Sequence, residues 1–204
     1  MPVNPTTRAA ARAFAREHRG DPRAIVARAR ALFAKGDRLG AFEVCRAAPD
    51  AVARMSRAQV TAFTKGMAEW WSVDCFACFI GGVAWREGRL SDADIARLTA
   101  SSDRWRRRAA LACTIPLNSR ARGSKSPRGD ARRTLAVCCR LIDDHDDMVV
   151  KAMSWALREL ARLDRAPVER FLRTHAGRLA PRVNREVRNK LSTGLKNPRR
   201  RRVS

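Results

Sequence analysis

The sequence predicts an all-α protein whose helical hairpins stack into an α-α superhelix with a concave basic surface. The 204 residues include no tyrosine, and the abundant alanine, arginine and leucine favour helix over strand. Apolar residues recur at helical spacing along most of the chain, which indicates amphipathic helices. A hydrophobic fraction of 45% is enough to build one buried core in a single domain of this length.

The predicted helices are separated by start and stop signals. Ser56, Ser91, Ser102 and Asp146 have the side chains that cap helix N-termini, and glycines follow several apolar segments, where helices end. We predict helices over residues 7–18, 22–34, 37–46, 57–68, 70–87, 92–99, 102–115, 130–142, 147–163, 167–174 and 182–192.

A weak internal repeat in the second half of the chain predicts how these helices pack. The segments around Arg108, Lys151 and Arg188 place acidic, apolar and basic residues in a similar order. They lie about 40 residues apart, close to the period of HEAT-type helical pairs. Because one pair cannot bury its apolar face alone, neighbouring pairs stack into a curved solenoid. An ordinary helical bundle is the alternative.

Two segments lack the helical pattern. Residues 117–129 are rich in Ser, Gly, Arg and Pro and predict a mobile loop. Residues 192–204 contain four consecutive arginines and predict a flexible basic arm. Residues 7–191 are expected to form a single HEAT-like repeat domain that contains the loop.

The charge of the chain indicates nucleic acid as its partner. The formal net charge is +23, and the isoelectric point is about 11.6. Such a field attracts phosphate polyanions and raises their rate of encounter, and arginine forms bidentate contacts with phosphate. We therefore expect a nucleic acid as the partner. A basic surface that only faces solvent is the alternative.

Other sequence features predict an intracellular protein without a membrane partner. No apolar run approaches the roughly 18 residues of a membrane span, and residues 1–8 contain no signal-peptide core. Only Cys75 and Cys78 form a C-x-x-C pair, and no second pair completes a zinc site. Buried free thiols suit the reducing cytoplasm, where a DNA-binding protein associates with the nucleoid.

One carboxylate lies in an unusual sequence environment. Asp74 is the only charged residue between Trp70 and Arg86, and burying a carboxylate costs free energy unless a partner compensates it. Trp70 and Asp74 are four residues apart, so they share one face of a helix that contains both. Asp74 is a candidate functional residue; an aspartate satisfied by a helix terminus or an arginine is the alternative.

A tryptophan lies on a basic helical face. In the segment 147–163, the apolar stripe leaves Trp155 on the opposite side, beside Lys151 and Arg158. A tryptophan there can stack on sugars or bases while its cationic neighbours bind phosphate. The alternative is a tryptophan packed between two repeats.

The acidic residues between positions 143 and 147 do not predict a metal site. They precede a helix, where acidic side chains complement the helix dipole and cap free N–H groups. We therefore expect no metal at these residues.

Three motifs resemble, in order and separation, those of the bacterial alkylpurine DNA glycosylases built from HEAT-like repeats, the AlkD type of DNA alkylation repair enzyme. They are Trp70-x-x-x-Asp74, residues 102–110 (SDRWRRRAA) and residues 151–159 (KAMSWALRE). Arg185-Glu186 is similar to the last helix of that family. The resemblance extends from about residue 22 onward.

The resemblance implies a monofunctional glycosylase that hydrolyses the N-glycosidic bond of cationic N3- or N7-alkylated purines in duplex DNA. The product would be an abasic site, and the resemblance implies that the reaction uses neither a metal nor an organic cofactor. Carried over by motif, Asp74 would stabilise the sugar cation and position the attacking water. Trp70 and Trp155 would pack against the deoxyribose, and Arg108 would bind a nearby phosphate.

We expect the protein to act as a monomer. Further basic residues complete its predicted DNA-binding set. They are Arg106, Arg107, Lys151 and Arg158. The chain departs from the family because it lacks a recognisable first repeat and any tyrosine. Two other interpretations are a non-catalytic HEAT-like protein that binds duplex or branched DNA, and an RNA-binding scaffold.

Overall fold

The computed structural model describes residues 4–120 and 129–198, in which all regular structure is helical. This confirms the predicted all-α class. The α-helices are α1 (Pro5–Glu17), α2 (Pro22–Ala34), α3 (Arg38–Ala47), α4 (Pro49–Val52), α5 (Arg57–Ala62), α6 (Trp70–Phe76), α7 (Gly82–Arg86), α8 (Asp92–Thr99), α9 (Arg104–Ala112), α10 (Ala131–Arg140), α11 (Asp147–Ala161), α12 (Arg165–Thr174) and α13 (Pro181–Thr193).

The helices form two layers that follow the order of the chain. In one layer α1, α3, α6, α9, α11 and α13 each pack on the next, and in the other α10 packs on both α8 and α12. Between layers, α2 packs on α3, α8 on α9, and α10 and α12 on α11. Each helix therefore contacts mainly its neighbours in sequence, as in a superhelix of helical repeats.

Most helix boundaries agree with the prediction, and the differences have local causes. The predicted helix 57–68 ends at Ala62, because the chain turns through Gly66 at a φ of +64°. The short helix α4 was not predicted. Ser56, Ser91 and Asp146 cap their helices as expected.

The predicted cap at Ser102 is wrong. Asp103 caps α9 instead, since its carboxylate accepts a hydrogen bond of 2.9 Å from the backbone N–H of Trp105. An aspartate and a serine are equally good caps, so the sequence did not distinguish these adjacent positions.

The predicted helix 70–87 is continuous, but its middle is π-helical and not α-helical. A π-helical segment, Ala77–Gly81, joins α6 to α7, and every residue from Ser72 to Trp85 is buried. A Cβ on Gly82 would overlap the carbonyl oxygen of Cys113 and lie 2.8 Å from Pro116 Cδ. The absence of a side chain at Gly82 therefore allows this helix to approach the end of α9.

The segment predicted as a mobile loop is ordered at both of its ends. Asn118 donates hydrogen bonds to Thr114 O and to Thr134 Oγ1, at 3.1 and 2.7 Å. Its Oδ1 accepts one of 2.9 Å from the backbone N–H of Asp130. Asn118 thus joins the chain on the two sides of the predicted loop, whose residues 121–128 lie outside the described part.

The predicted basic arm also begins as ordered structure. Helix α13 continues to Thr193 and ends at Gly194, which has a φ of +74°. Lys196 Nζ then lies 3.5 Å from the buried Glu186 Oε1. The arginines 199–202 lie outside the described residues.

The cysteines and the helix lengths bear on the predicted environment of the protein. None of the six cysteines forms a disulfide, and five of them are buried, as expected; Cys139 is exposed. Among the described helices, none is both long enough and apolar enough to cross a membrane.

We expect Gly82→Ala to lower the free energy of unfolding by about 1–3 kcal/mol, because its methyl group overlaps backbone that cannot move without disturbing α9. Gly177→Ala is the matched control, since a Cβ at Gly177 meets nothing within 4 Å, and it should change stability by at most about 1 kcal/mol. Urea unfolding curves measure both. Equal effects of the two substitutions would contradict the close packing at Gly82.

Candidate functional site

Asp74 lies in the buried middle of α6. Its exposed fraction is only 5%, which agrees with the lack of charged residues around it in the sequence. The helix begins at Trp70, so Asp74 follows Trp70 by about one turn. A carboxylate in this position needs a partner.

That partner is Arg108 on α9. Arg108 Nε donates to Asp74 Oδ1 at 2.9 Å, and Arg108 Nη2 donates to Asp74 Oδ2 at 2.7 Å. Two parallel N–H···O bonds make this a bidentate pair, the strongest geometry for a carboxylate and a guanidinium. Arg108 is itself only 6% exposed. The alternative of an aspartate satisfied by an arginine therefore describes Asp74 in the free protein.

Arg108 also reaches a third helix. Its Nη1 donates a hydrogen bond of 2.7 Å to the carbonyl oxygen of Met148 at the start of α11. One side chain thus connects α6, α9 and α11, three successive helices of the same layer. Its remaining N–H groups have no acceptor within residues 4–120 and 129–198.

The burial of Asp74 affects its protonation. Removal from water raises the pKa of this carboxyl above its ordinary value of 3.8, and the hydrogen bonds and charge of Arg108 oppose that rise. On acidification, the Asp74 carboxylate is therefore protonated more easily than that of an exposed aspartate.

The two candidate tryptophans differ in accessibility. Trp70 is 44% exposed, which is unusual for so large an apolar side chain and suits contact with a ligand. Trp155 on α11 is half-buried and packs against the core. Trp155 is therefore partly packed, as the alternative interpretation expects, and partly accessible.

Of the other predicted phosphate ligands, only some are free to bind. The Arg106 side chain is 55% exposed. Arg107 Nε instead lies 2.6 Å from Asp144 Oδ2, and its Nη1 donates to the carbonyl oxygens of Ser101 and Ser102. Arg107 is therefore a cross-link between segments, a role that its position in the sequence did not predict.

Lys151 and Arg158 lie on the two sides of Trp155 along α11. Lys151 Nζ is 2.7 Å from Asp147 Oδ2, and its side chain remains 39% exposed. Arg158 Nε donates to Ser154 Oγ at 3.2 Å. Burial lowers the pKa of Arg158, and the charge of Glu186 opposes this shift. Lys151 is thus the more accessible of the two cations.

Two further buried carboxylates were not predicted, Glu43 on α3 and Glu186 on α13. Glu186 on α13 is 3% exposed and accepts a hydrogen bond of 2.6 Å from Ser154 Oγ, next to Trp155 in the chain. The signal was present, because Val183, Glu186 and Val187 lie on one helical face and both valines are fully buried.

The acidic residues near position 145 have structural roles. Asp143 pairs with Arg178, Asp144 with Arg107, and Asp146 accepts a hydrogen bond from the backbone N–H of Met148. In the part of the chain that the structure describes, no cluster of His, Cys, Asp or Glu could hold a metal ion.

We expect Arg108→Ala to lower the free energy of unfolding by about 3–5 kcal/mol, because it leaves the Asp74 carboxylate buried without a partner. Arg106→Ala removes a neighbouring arginine that is mostly exposed, so its effect should stay within about 0.5 kcal/mol. Chemical denaturation followed by circular dichroism compares the two. A small effect of Arg108→Ala would show that the pair is not a structural requirement.

Comparison with known proteins identifies the family of this chain. The family model of the DNA alkylation repair enzymes matches residues 3–191, a range that includes Trp70, Asp74, Arg108 and Trp155. No curated protein and no solved structure matches the chain. Because the family model covers nearly all of the sequence, the chain belongs to the DNA alkylation repair enzyme family.

Proposed function

We propose that the protein is a monofunctional alkylpurine DNA glycosylase that removes cationic N3- or N7-alkylated purines from duplex DNA. The observation that carries this proposal is the buried Asp74 carboxylate, which is hydrogen-bonded to Arg108. Asp74 lies on α6, the helix that begins with the exposed Trp70. Family membership supplies the setting, which is repair of alkylated DNA.

Asp74 acts by electrostatics. An alkylated purine already carries a positive charge, so it can leave the sugar without a general acid. The sugar then develops oxocarbenium character, and a fixed carboxylate in a low-dielectric environment stabilises that cation more than one in water would. The same carboxylate orients the water that attacks the sugar. This chemistry needs neither a metal nor an organic cofactor.

Arg108 positions the carboxylate. Its two hydrogen bonds fix the plane of the Asp74 carboxyl group, and its bond to Met148 O fixes the guanidinium. A DNA phosphate binds the N–H groups of Arg108 that have no acceptor in the described residues. The phosphate shares the positive charge of the guanidinium, which then neutralises Asp74 less completely. The carboxylate therefore presents more negative charge to the sugar of the alkylated nucleotide.

The tryptophans and the exposed cations bind the DNA around this carboxylate. Trp70 and the accessible part of Trp155 contact the deoxyribose of the lesion. Arg106 and Lys151 bind phosphates of the duplex and displace the cations condensed on them. The affinity for DNA therefore falls as the salt concentration rises, because release of these cations becomes less favourable. Arg107 and Arg158 contribute mainly by fixing the helices. The protein acts as a monomer in the cytoplasm and associates with the nucleoid through its DNA.

A non-catalytic DNA-binding protein is the second candidate. The observation that favours it is the bidentate pairing itself, since Arg108 offsets the charge of Asp74 in the free protein. Under this proposal the pair is purely structural, and loss of the Asp74 charge would not change the fate of alkylated DNA.

We expect wild-type protein to release 7-methylguanine or 3-methyladenine from methylated duplex DNA, and Asp74→Asn to lose at least about a hundredfold in rate. Asp74→Asn should bind DNA as tightly as wild type, because the substitution removes a negative charge and little volume. Single-turnover base release and fluorescence anisotropy measure the two quantities.

Asp164→Asn provides the control for this experiment. Asp164 precedes α12 and makes no capping hydrogen bond with its side chain, so its substitution should leave the rate unchanged. Failure of the wild-type protein to free any base from alkylated duplex would overturn the glycosylase proposal and favour the binding protein.

We expect base release to decline on acidification at a pH above 3.8, the ordinary pKa of an aspartate, because burial raises the pKa of Asp74. Protonation removes the negative charge that stabilises the sugar cation, so the ionised form present at higher pH is the active one. Single-turnover rates across the acid range, corrected for spontaneous base loss, give this profile. A rate that is constant until the protein unfolds, as followed by circular dichroism, would contradict a role for ionised Asp74.

A further inference from the structure

A cavity of about 650 Å³ lies in the N-terminal part of the chain. It is lined by the second half of α1, the turn into α2, the start of α2, and the segment 47–54. No residue of α6, α9 or α11 lines it, so it is separate from the candidate glycosylase site.

Four arginines surround this cavity: Arg12, Arg16, Arg19 and Arg54. Arg12 and Arg16 are one helical turn apart on α1, Arg19 is in the turn after α1, and Arg54 follows α4. All four are exposed. Convergence from separate segments on one space distinguishes them from a simple solvated helix face.

The charge of these guanidinium groups is not offset by an ion pair among the described residues. Within residues 4–120 and 129–198, none of the four makes an ion pair or a side-chain hydrogen bond, whereas Arg8 and Arg46 in the same hairpins both pair with Glu43. Two carboxylates, Asp21 and Asp50, also line the cavity, so the four arginines leave it with a net positive charge. Asp21 Oδ1 accepts bonds from the backbone N–H groups of Arg23 and Ala24.

The rest of the wall is suited to something larger than a simple anion. Ile25, Ala51 and other apolar residues line the cavity beside His18. The His18 ring stacks on Phe14, with ring centroids 4.0 Å apart and planes inclined by 21°. A phosphate joined to a sugar and a flat base combines the negative charge and apolar surface that these walls complement.

We propose that this cavity binds the phosphate group of a nucleotide. Arg12, Arg16, Arg19 and Arg54 donate charge-assisted hydrogen bonds to the phosphate, and the apolar wall covers the attached nucleoside. The nucleotide is either a free 5′-mononucleotide or part of a DNA strand, and both present the same phosphate chemistry. The proposal does not depend on glycosylase activity.

The test compares two variants of equal net charge. Arg16→Gln/Arg54→Gln removes two cavity arginines from different segments. Arg140→Gln/Arg170→Gln removes two exposed arginines that line none of the cavities described for this chain. Circular dichroism verifies that both variants fold. The probes are adenosine 5′-monophosphate, inorganic phosphate, adenosine without phosphate, and an undamaged DNA duplex without terminal phosphates.

We expect isothermal titration to show that the cavity variant binds at least one phosphate probe about tenfold more weakly than the control variant does. Loss of adenosine monophosphate binding assigns the cavity to free nucleotides. Loss of duplex binding alone assigns it to a DNA strand. Adenosine should not bind detectably in either case, because it lacks the charged group.

Equal affinities of the two variants for every probe would overturn the proposal, since net charge alone would then explain phosphate binding. Asp74→Asn should bind all probes as wild type does. Base release is measured on the same preparations. It tests the glycosylase proposal, whereas probe binding tests the cavity proposal, so either can fail while the other holds.

Discussion

The arrangement of this protein depends on the ion pair between Asp74 and Arg108. Both side chains are at least nine-tenths buried, and each would be costly to bury without the other. Their bidentate geometry and the bond from Arg108 to Met148 O fix the relative positions of α6, α9 and α11. One polar contact thereby holds the helices that carry Trp70 and Trp155. Its members are also the proposed catalytic carboxylate, Asp74, and the residue that positions it, Arg108.

The same kind of contact recurs along the stack. Arg8 on α1 pairs with Glu43 on α3, and Ser154 on α11 donates to Glu186 on α13. Each joins neighbouring helices of one layer, as the Asp74–Arg108 pair does. Apolar packing between helices tolerates small shifts, whereas a hydrogen-bonded buried pair permits one register. These cross-links therefore complement the apolar core in a chain rich in alanine, whose small side chains specify register weakly.

The many arginines have at least two different roles. Some, such as Arg107 and Arg108, lie inside the stack and hold helices together, while Arg106 and the four arginines of the N-terminal cavity remain exposed. The 43 lysines and arginines of the chain are therefore not all available to phosphate. The exposed group still surrounds the chain with a field that favours polyanions.

The sequence by itself determined the helical class, most helix boundaries and the isolation of Asp74, because periodicity, caps and local composition act over a few residues. It also carried the resemblance to the DNA alkylation repair enzymes, whose family model matches residues 3–191. Only the tertiary structure decided which arginine meets Asp74, that Arg107 turns inward to Asp144, and that Glu186 is buried against Ser154. These partners are more than 30 residues apart, and pairing over that distance depends on how the helices stack, which no local pattern specifies.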